Sequence, residues 1–335
     1  MNPRRASLAR CARLARRFAA LAAALACLQA APPAMAQTSG GATFGEQVAV
    51  GYVLVPVVVR TKGGYINNLI QKDFRLFVDG KQVPIESFES GHDAPVSLVF
   101  LQDLSGSMGE SGKLEGSREA VRYFLDQAKP GDEFAIATFA GELVQVDVPF
   151  TSDLSAARED IARWEAYGTT ALHDAVAWLP EIVLDHASLK RAAVLITDGV
   201  DNQSTIPPEQ ARELVRKAEL PVYVLGLDAG SPYELGEDGK KLFRFADTLN
   251  LLASLSGGKY YPIAGPYDLK EACAAIAEDL RHQYVLGFST GGGTPSAYHT
   301  LRVEVGGRQR ALSFRRGYRG PAPQQVGAGS AVAPR

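Results

Sequence analysis

Cysteine is scarce in this sequence of 335 residues, which contains three, at positions 11, 27 and 273. The first two lie within residues 1–36, which we expect to be removed as a secretory signal. The remaining chain would then keep one cysteine and could form no intrachain disulfide bond. Cys273 lies in step with Leu269, Ile276 and Leu280 on one predicted helical face. This spacing predicts a buried thiol that takes no part in chemistry.

Long apolar runs are also absent beyond the N-terminus, so we predict no transmembrane segment after residue 36. Residues 1–36 combine six arginines, a short apolar run over 18–28 and the small-residue site AMA at 34–36. This order is typical of a secretory signal, and the apolar run is too short to span a bilayer. Lipoprotein processing at Cys27 is the alternative, although the preceding residues ALA fit that pattern poorly. The sequence therefore predicts an exported protein, periplasmic or secreted.

A strong excess of either charge is missing, since the formal net charge is −2. Loss of residues 1–36 would remove six arginines and no acidic residue, which changes the net charge to −8. A mildly acidic exported protein is a poor candidate for binding nucleic acid or an anionic membrane surface, because both attract basic patches. We therefore predict neither as a partner.

Signatures of several enzyme classes are missing as well. No serine lies in a GxSxG elbow, and none of the five histidines stands at metal-ligand spacing from another. Residues 109–113, GESGK, resemble a phosphate-binding loop, but that motif would need glycine at the position of Ser107 and Ser or Thr at that of Leu114. We predict no catalytic residue and no nucleotide site, and we interpret Lys113 as a solvated charge.

One stretch, VSLVFLQDLSGSMG at 96–109, passes abruptly from apolar to polar residues. Its first six residues predict a strand buried on both faces, as in the centre of a parallel sheet. Asp103, Ser105 and Ser107 follow at alternate positions, with Gly106 between them. A tight turn there can aim one carboxylate and two hydroxyls at one point, and these hard oxygens suit Mg²⁺, Mn²⁺ or Ca²⁺. A Ser/Gly turn that caps the next helix is the alternative.

Two further loops carry oxygen ligands. Residues 167–174 offer the hydroxyls of Thr169 and Thr170 before an apolar helix pattern, and residues 192–199 predict a second buried strand that ends in an Asp198-Gly199 turn. Ligands of open α/β sheets lie outside the carboxyl ends of the strands, so the three loops can converge there.

Together these motifs resemble the von Willebrand factor type A family and its metal-ion-dependent adhesion site. In that family a DxSxS motif supplies an Asp and two Ser, a GxT loop a Thr, and a TDG loop a second Asp. The resemblance, which spans about residues 95–282, therefore implies five ligands for Mg²⁺ (or Mn²⁺ or Ca²⁺). They are Asp103, Ser105, Ser107, Thr170 and Asp198. Thr170 is chosen over Thr169 because residues 168–172 align with GxT followed by a small and an aliphatic residue.

Four residues close to the three loops are not predicted to bind the metal. We interpret His173 as a surface or helix-packing residue, with contact to a partner or to a water near the metal as the alternative. Asp174 is interpreted as a helix-start acid, and Asp201 and Asn202 as rim residues that could touch a ligand. Four aromatic residues have the spacing of core residues and receive no binding role: Phe134, Phe139, Trp164 and Trp178.

Alternating strands and helices over 95–282 predict an α/β fold with a doubly wound, mostly parallel, Rossmann-like sheet. The pattern includes one helix over 171–184. Residues 43–92 hold a long β-rich run and a hairpin signal, but too few strands to be stable alone. Residues 283–318 contain three more β segments, the last over 311–318, and we predict that they pair with the N-terminal strands in one flanking β module. Residues 319–335 predict a disordered tail.

This layout, with the stretches DGKQVPIESF at 79–88, QYVLGFS at 283–289 and FRRGYRGP at 314–321, resembles bacterial exported "VWFA-related" proteins. The resemblance implies a non-enzymatic interaction module whose metal-centred face binds an Asp or Glu carboxylate of a protein partner. A metal-dependent hydrolase, in which the cation activates water or a phosphoryl oxygen, stays open, although no general base beyond the ligands is recognisable. A structural domain with an idle metal site also stays open. The last helix, the family's moving element in adhesion receptors, could couple ligand binding to the flanking module.

Overall fold

The computed structural model describes residues 51–90, 94–141, 143–183, 188–233, 244–290, 297–307 and 310–320. The predicted secretory signal over 1–36 and residues 321–335 of the predicted tail lie outside this part of the chain. Within it, no helix is long and apolar enough to cross a membrane.

The described residues contain fifteen strands and seven α-helices. The strands are β1 (Gly51–Thr61), β2 (Gly64–Tyr65), β3 (Phe74–Val78), β4 (Lys81–Val83), β5 (Ser87–Glu89), β6 (Ser97–Asp103), β7 (Glu133–Ala140), β8 (Leu143–Thr151), β9 (Arg191–Thr197), β10 (Val222–Leu227), β11 (Tyr260–Ile263), β12 (Gln283–Thr290), β13 (Tyr298–Val305), β14 (Ala311–Ser313) and β15 (Gly317–Arg319). The helices are α1 (Lys113–Asp126), α2 (Leu154–Ala162), α3 (Leu172–Ala177), α4 (Leu179–Val183), α5 (Pro208–Lys217), α6 (Arg244–Ser256) and α7 (Pro266–Arg281).

Six strands form the central sheet in the order β11-β10-β9-β6-β7-β8. All neighbouring pairs are parallel except β7 and β8, which are antiparallel. Alternate residues of β6 face opposite sides, since Phe100 lies in an apolar cluster with Val121 of α1, whereas Leu101 lies in one with Val176 of α3 and Leu249 of α6. Helices thus cover both faces, and the predicted doubly wound, mostly parallel α/β sheet is confirmed.

Strands from both ends of the chain form the flanking β module. β1 pairs antiparallel with β12 over eight residues and with β14 on its other side, while β5 pairs with β12. A second sheet has the order β15-β13-β3-β4. Apolar side chains from N- and C-terminal strands, such as Val57, Leu76, Tyr284 and Val303, share one buried cluster. The predicted flanking module of N- and C-terminal strands is therefore confirmed.

The carboxyl end of α7 is bound to this module. Asp279 is buried, pairs with Arg60 of β1 and accepts a hydrogen bond from the Tyr65 hydroxyl at 2.8 Å. The Tyr65 ring stacks on His282 with a centroid separation of 4.2 Å. A partly buried ion pair and a hydrogen bond therefore join the last helix to β1 and β2.

Three predictions about individual elements are wrong. The helix predicted over 171–184 is two short helices, α3 and α4, because Pro180 lacks the N–H that would continue the first helix and is tolerated only in the first turn of the second. Trp178 lies at this break and is 52% exposed, whereas Phe134, Phe139 and Trp164 are buried as predicted. The strand predicted over 311–318 is split into β14 and β15, which belong to different sheets.

Candidate metal centre

Asp103 is the last residue of β6 and is fully buried. Its Oδ1 accepts a hydrogen bond from the Ser105 N–H at 2.8 Å, which closes a tight turn after the strand. Its Oδ2 accepts a hydrogen bond from the Thr197 hydroxyl at 2.6 Å. Thr197 is the last residue of β9, and Asp198 follows it directly. Two adjacent strands therefore hold the first carboxylate and place the second beside it.

The surroundings of Asp103 raise the pKa of its carboxyl group. The pKa of Asp103 is raised to about 6, chiefly by burial. Hydrogen bonds from Thr197 and Ser105 oppose this rise, and the negative charge of Asp198 adds to it. An interior site that contains two neighbouring carboxylates is stabilised by positive charge.

The turn after β6 presents the two serine hydroxyls. Ser105 is buried and Ser107 is half-buried, and their Oγ atoms lie 3.3 Å apart. Gly106, between them, donates its N–H to the Gly168 carbonyl at 3.0 Å. A Cβ at position 106 would lie 3.3 Å from the same oxygen, so this approach favours glycine. Met108, which follows Ser107, is buried in an apolar cluster and so helps to fix the turn.

The loop that contains Thr170 is bound on both sides. Tyr167 donates its N–H to the Leu104 carbonyl at 2.7 Å, in the turn after β6. On the other side, Thr170 donates its N–H to Asn202 Oδ1 at 2.9 Å, and its carbonyl accepts the Asn202 N–H at 3.1 Å. Thr170 is buried, whereas Thr169 is exposed. The structure therefore links this loop both to the Asp103 turn and to the segment after Asp198.

Asp198 is buried, and its Oδ2 accepts a hydrogen bond from Lys113 Nζ at 2.9 Å. The side chain of Lys113 is only 12% exposed. The interpretation of Lys113 as a solvated charge is therefore wrong. The physical reason is that α1 begins at Lys113 beside the carboxyl ends of the strands, where a buried carboxylate attracts the ammonium group.

Gly199 fixes the direction of the chain after Asp198. Its φ of +84° lies in the left-handed region, and a Cβ would approach Leu249 Cδ1 to 2.8 Å. The Gly199 N–H donates to Thr197 Oγ1 at 3.0 Å, so the same hydroxyl serves both the turn and Asp103. The TDG motif thus needs its threonine as well as its aspartate. Position 197 in that motif was the available sequence signal, although Thr197 was not among the predicted site residues.

Asp201 and Asn202, predicted as rim residues, form hydrogen bonds with the segment that contains Thr170 and His173. Asp201 Oδ2 lies 3.0 Å from His173 Nδ1 and also accepts the His173 N–H at 3.0 Å. His173 itself is buried. Asp174, predicted as a helix-start acid, lies in the first turn of α3 and accepts backbone N–H groups from Thr205 and Ile206. These contacts position the segment that contains Thr170.

The donor set fits a divalent cation. Of the five predicted ligands, Asp103 and Ser105 share a hydrogen bond, the two serine hydroxyls are neighbours, and Asp198 lies next to the residue that binds Asp103. Thr170 belongs to a loop that is hydrogen-bonded to the segments on either side. Among the contacts of the described residues, Lys113 pairs with Asp198, whereas Asp103 accepts hydrogen bonds from neutral groups only.

Part of the chain is similar to known proteins. Residues 98–200 match the family model of the von Willebrand factor type A domain. An uncharacterised protein of Borreliella burgdorferi is 24% identical over 196 residues, which are 53% of this chain and 57% of that protein. Inter-alpha-trypsin inhibitor heavy chain H1 of Bos taurus is 30% identical over 151 residues, which are 39% of this chain and 16% of that protein.

The chain therefore spans between about a sixth and somewhat over half of the length of these two relatives. Among solved structures, a von Willebrand factor type A protein from Catenulispora acidiphila aligns with a TM-score of 0.47 at 15% identity. That alignment covers 76% of this chain and 74% of the other.

Proposed function

Residues 98–200 match the family model of the von Willebrand factor type A domain, and from this premise we propose that the protein is an exported, non-enzymatic interaction module. In this proposal it binds an Asp or Glu carboxylate of a protein partner through a divalent cation. The observation that carries it is the pair of buried carboxylates, Asp103 and Asp198, which lie beside neighbouring hydroxyls at the carboxyl ends of β6 and β9.

The proposed ligands are Asp103, Ser105, Ser107, Thr170 and Asp198. Mg²⁺ is the proposed cation, with Mn²⁺ and Ca²⁺ as alternatives, because all five ligands offer hard oxygens. The burial of Thr170 and the exposure of Thr169 support the choice between the two threonines. Thr197 and Asn202 would position the donors without binding the cation themselves.

Neutral donors leave the centre attractive to a further anion. Ser105, Ser107 and Thr170 contribute oxygen without charge, so the full donor set carries two negative charges. A divalent cation held there would supply Lewis acidity toward a carboxylate of the partner. The turn after β6 keeps Ser107 half-buried, so this edge of the donor set is accessible to solvent.

A capture experiment tests the proposal. The full chain is immobilised and exposed to periplasmic or culture-fluid extract, with Mg²⁺ and with chelator in parallel. We expect a protein to be retained with Mg²⁺ only, and to be lost with the double variant Asp103→Asn, Asp198→Asn. Amidation of the captured protein's carboxyl groups should abolish its rebinding. Asp126→Asn, which changes an exposed carboxylate on α1, is the control and should capture normally.

The two other functions predict different results. Turnover of phosphoesters or peptides that disappears in Asp103→Asn would favour the metal-dependent hydrolase. Retention that does not respond to chelation, or that survives carboxyl amidation, would contradict the proposed mode of binding. Bound cation with no captured partner and no phenotype on its loss would favour a structural domain with an idle site.

A further inference from the structure

The ion pair between Lys113 and Asp198 joins a helix to a predicted metal ligand. We propose that Lys113 is an internal counter-cation of this centre, which holds Asp198 until a divalent cation binds and thereby lowers the affinity for that cation. The inference rests on the proposed function, because it assumes that Asp198 is part of the donor set.

The chain before α1 is built to bring Lys113 to this position. Ser111 and Gly112 both have positive φ, of 52° and 73°, and the Lys113 N–H donates to the Glu110 carbonyl at 3.1 Å. Ser111 is not a glycine, so its left-handed conformation carries strain that the surrounding contacts must offset. This turn makes Lys113 the first residue of α1 and directs its side chain to Asp198.

The Lys113–Asp198 pair is largely shielded from solvent. The side chains of Lys113 and Asp198 are 12% and 6% exposed, and their 2.9 Å contact is a charge-assisted hydrogen bond. Solvent therefore screens this pair less than it screens the exposed ion pairs of α1. A divalent cation beside Asp198 would either displace the ammonium group or be repelled by it, and both effects reduce affinity.

The structure also offers the ammonium group another location. On the side of α1, Lys113 borders a cavity of about 250 Å³. Glu119 and Asp228 line the same cavity together with apolar side chains. If Lys113 leaves Asp198, these two carboxylates offer its ammonium group other acidic partners at the same cavity.

Calorimetric titration of the full chain with Mg²⁺ and with Mn²⁺ tests the inference. Lys113→Met keeps the length of the side chain and removes its charge, and Lys113→Gln keeps a hydrogen-bond donor without the charge. We expect both variants to bind the cations more tightly, by about tenfold for Lys113→Met, since no ammonium group then competes with the cation for Asp198. Lys217→Met is the matched control, because it removes the charge of an exposed lysine, the last residue of α5. It should bind as the wild type does.

Thermal unfolding provides a second readout in chelator. Without a cation, Lys113→Met should melt below the wild type, because Asp198 remains buried without its partner. Added Mg²⁺ should then raise its melting temperature more than that of the wild type, as tighter binding to the folded state requires. Circular dichroism and gel filtration establish that each variant is folded before titration, and Lys113→Gln replaces Lys113→Met if the latter is not.

Failure of this inference differs from failure of the proposed function. Equal or weaker cation binding by the Lys113 variants, with a wild type that binds, overturns the inference alone. Binding by the variants with none by the wild type supports the inference and contradicts a cation-dependent function of the natural chain. No binding by any of them overturns both.

Discussion

Thr197→Val is the substitution that most sharply tests how the centre is assembled. Valine has the shape of threonine but lacks the hydroxyl that donates to Asp103 Oδ2 at 2.6 Å and accepts from the Gly199 N–H at 3.0 Å. Both bonds are buried, so the change leaves a carboxylate oxygen and an N–H group without partners. We expect the free energy of unfolding to fall by about 2–4 kcal/mol. Loss of a group that orients a ligand should also weaken Mg²⁺ binding by about 10-fold to 100-fold.

Urea denaturation and calorimetry measure these two effects. Thr138→Val is the control, because the Thr138 hydroxyl is also buried and donates to a carboxylate, that of Asp147, at 2.6 Å. The control should lose stability but keep its cation affinity, since neither residue belongs to the donor set. Wild-type cation affinity in Thr197→Val would refute the argument that Thr197 holds Asp103 in place.

Three further predictions concern single positions. Gly199→Ala should lower the free energy of unfolding, measured in urea, by about 1–3 kcal/mol, because Gly199 has a positive φ and a Cβ there would contact Leu249. Gly265→Ala is the control and should have little effect, since Gly265 is extended and has open space around it. Equal losses of stability in the two variants would contradict the argument for Gly199. Asp279→Ala should lower the free energy of unfolding by about 1–3 kcal/mol, because it removes a buried carboxylate that binds Arg60 and Tyr65 while solvent still reaches Arg60. Glu304→Ala, which removes only exposed ion pairs, should cost less than about 1 kcal/mol. Similar melting temperatures for the two variants would refute the proposed role of the Asp279 pair. Burial raises the pKa of Cys273 to about 12, so its thiol should not react with a thiol reagent at pH 8 until the chain is unfolded; rapid reaction in the native state would contradict its burial.

The parts of the fold that could be predicted from the sequence depend on local patterns. The run before Asp103 predicts a buried strand, and its observed bounds and burial agree with that prediction. The alternation of strands and helices predicts the doubly wound sheet. The break at Trp178 was missed because the apolar spacing continues through Pro180, where the missing N–H outweighs the pattern.

For the site as well, the residues that belong to one local motif could be predicted, whereas those that depend on distant contacts could not. Asp103, Ser105 and Ser107 lie within five residues, so one motif reveals their relation. Lys113 was misinterpreted because a lysine near glycines resembles any solvated charge, and its contact with Asp198 spans 85 residues of sequence. The role of Thr197 could not be predicted from the sequence, because only the fold places its hydroxyl against Asp103.

Direct titration of the full chain with Mg²⁺ in a calorimeter tests the central claim, which is that oxygens from three loops form one cation site. The account predicts saturable binding to one site, lost in Asp103→Asn, Asp198→Asn and preserved in Asp126→Asn. Heat of binding that is the same in the double variant and in the wild type would contradict it.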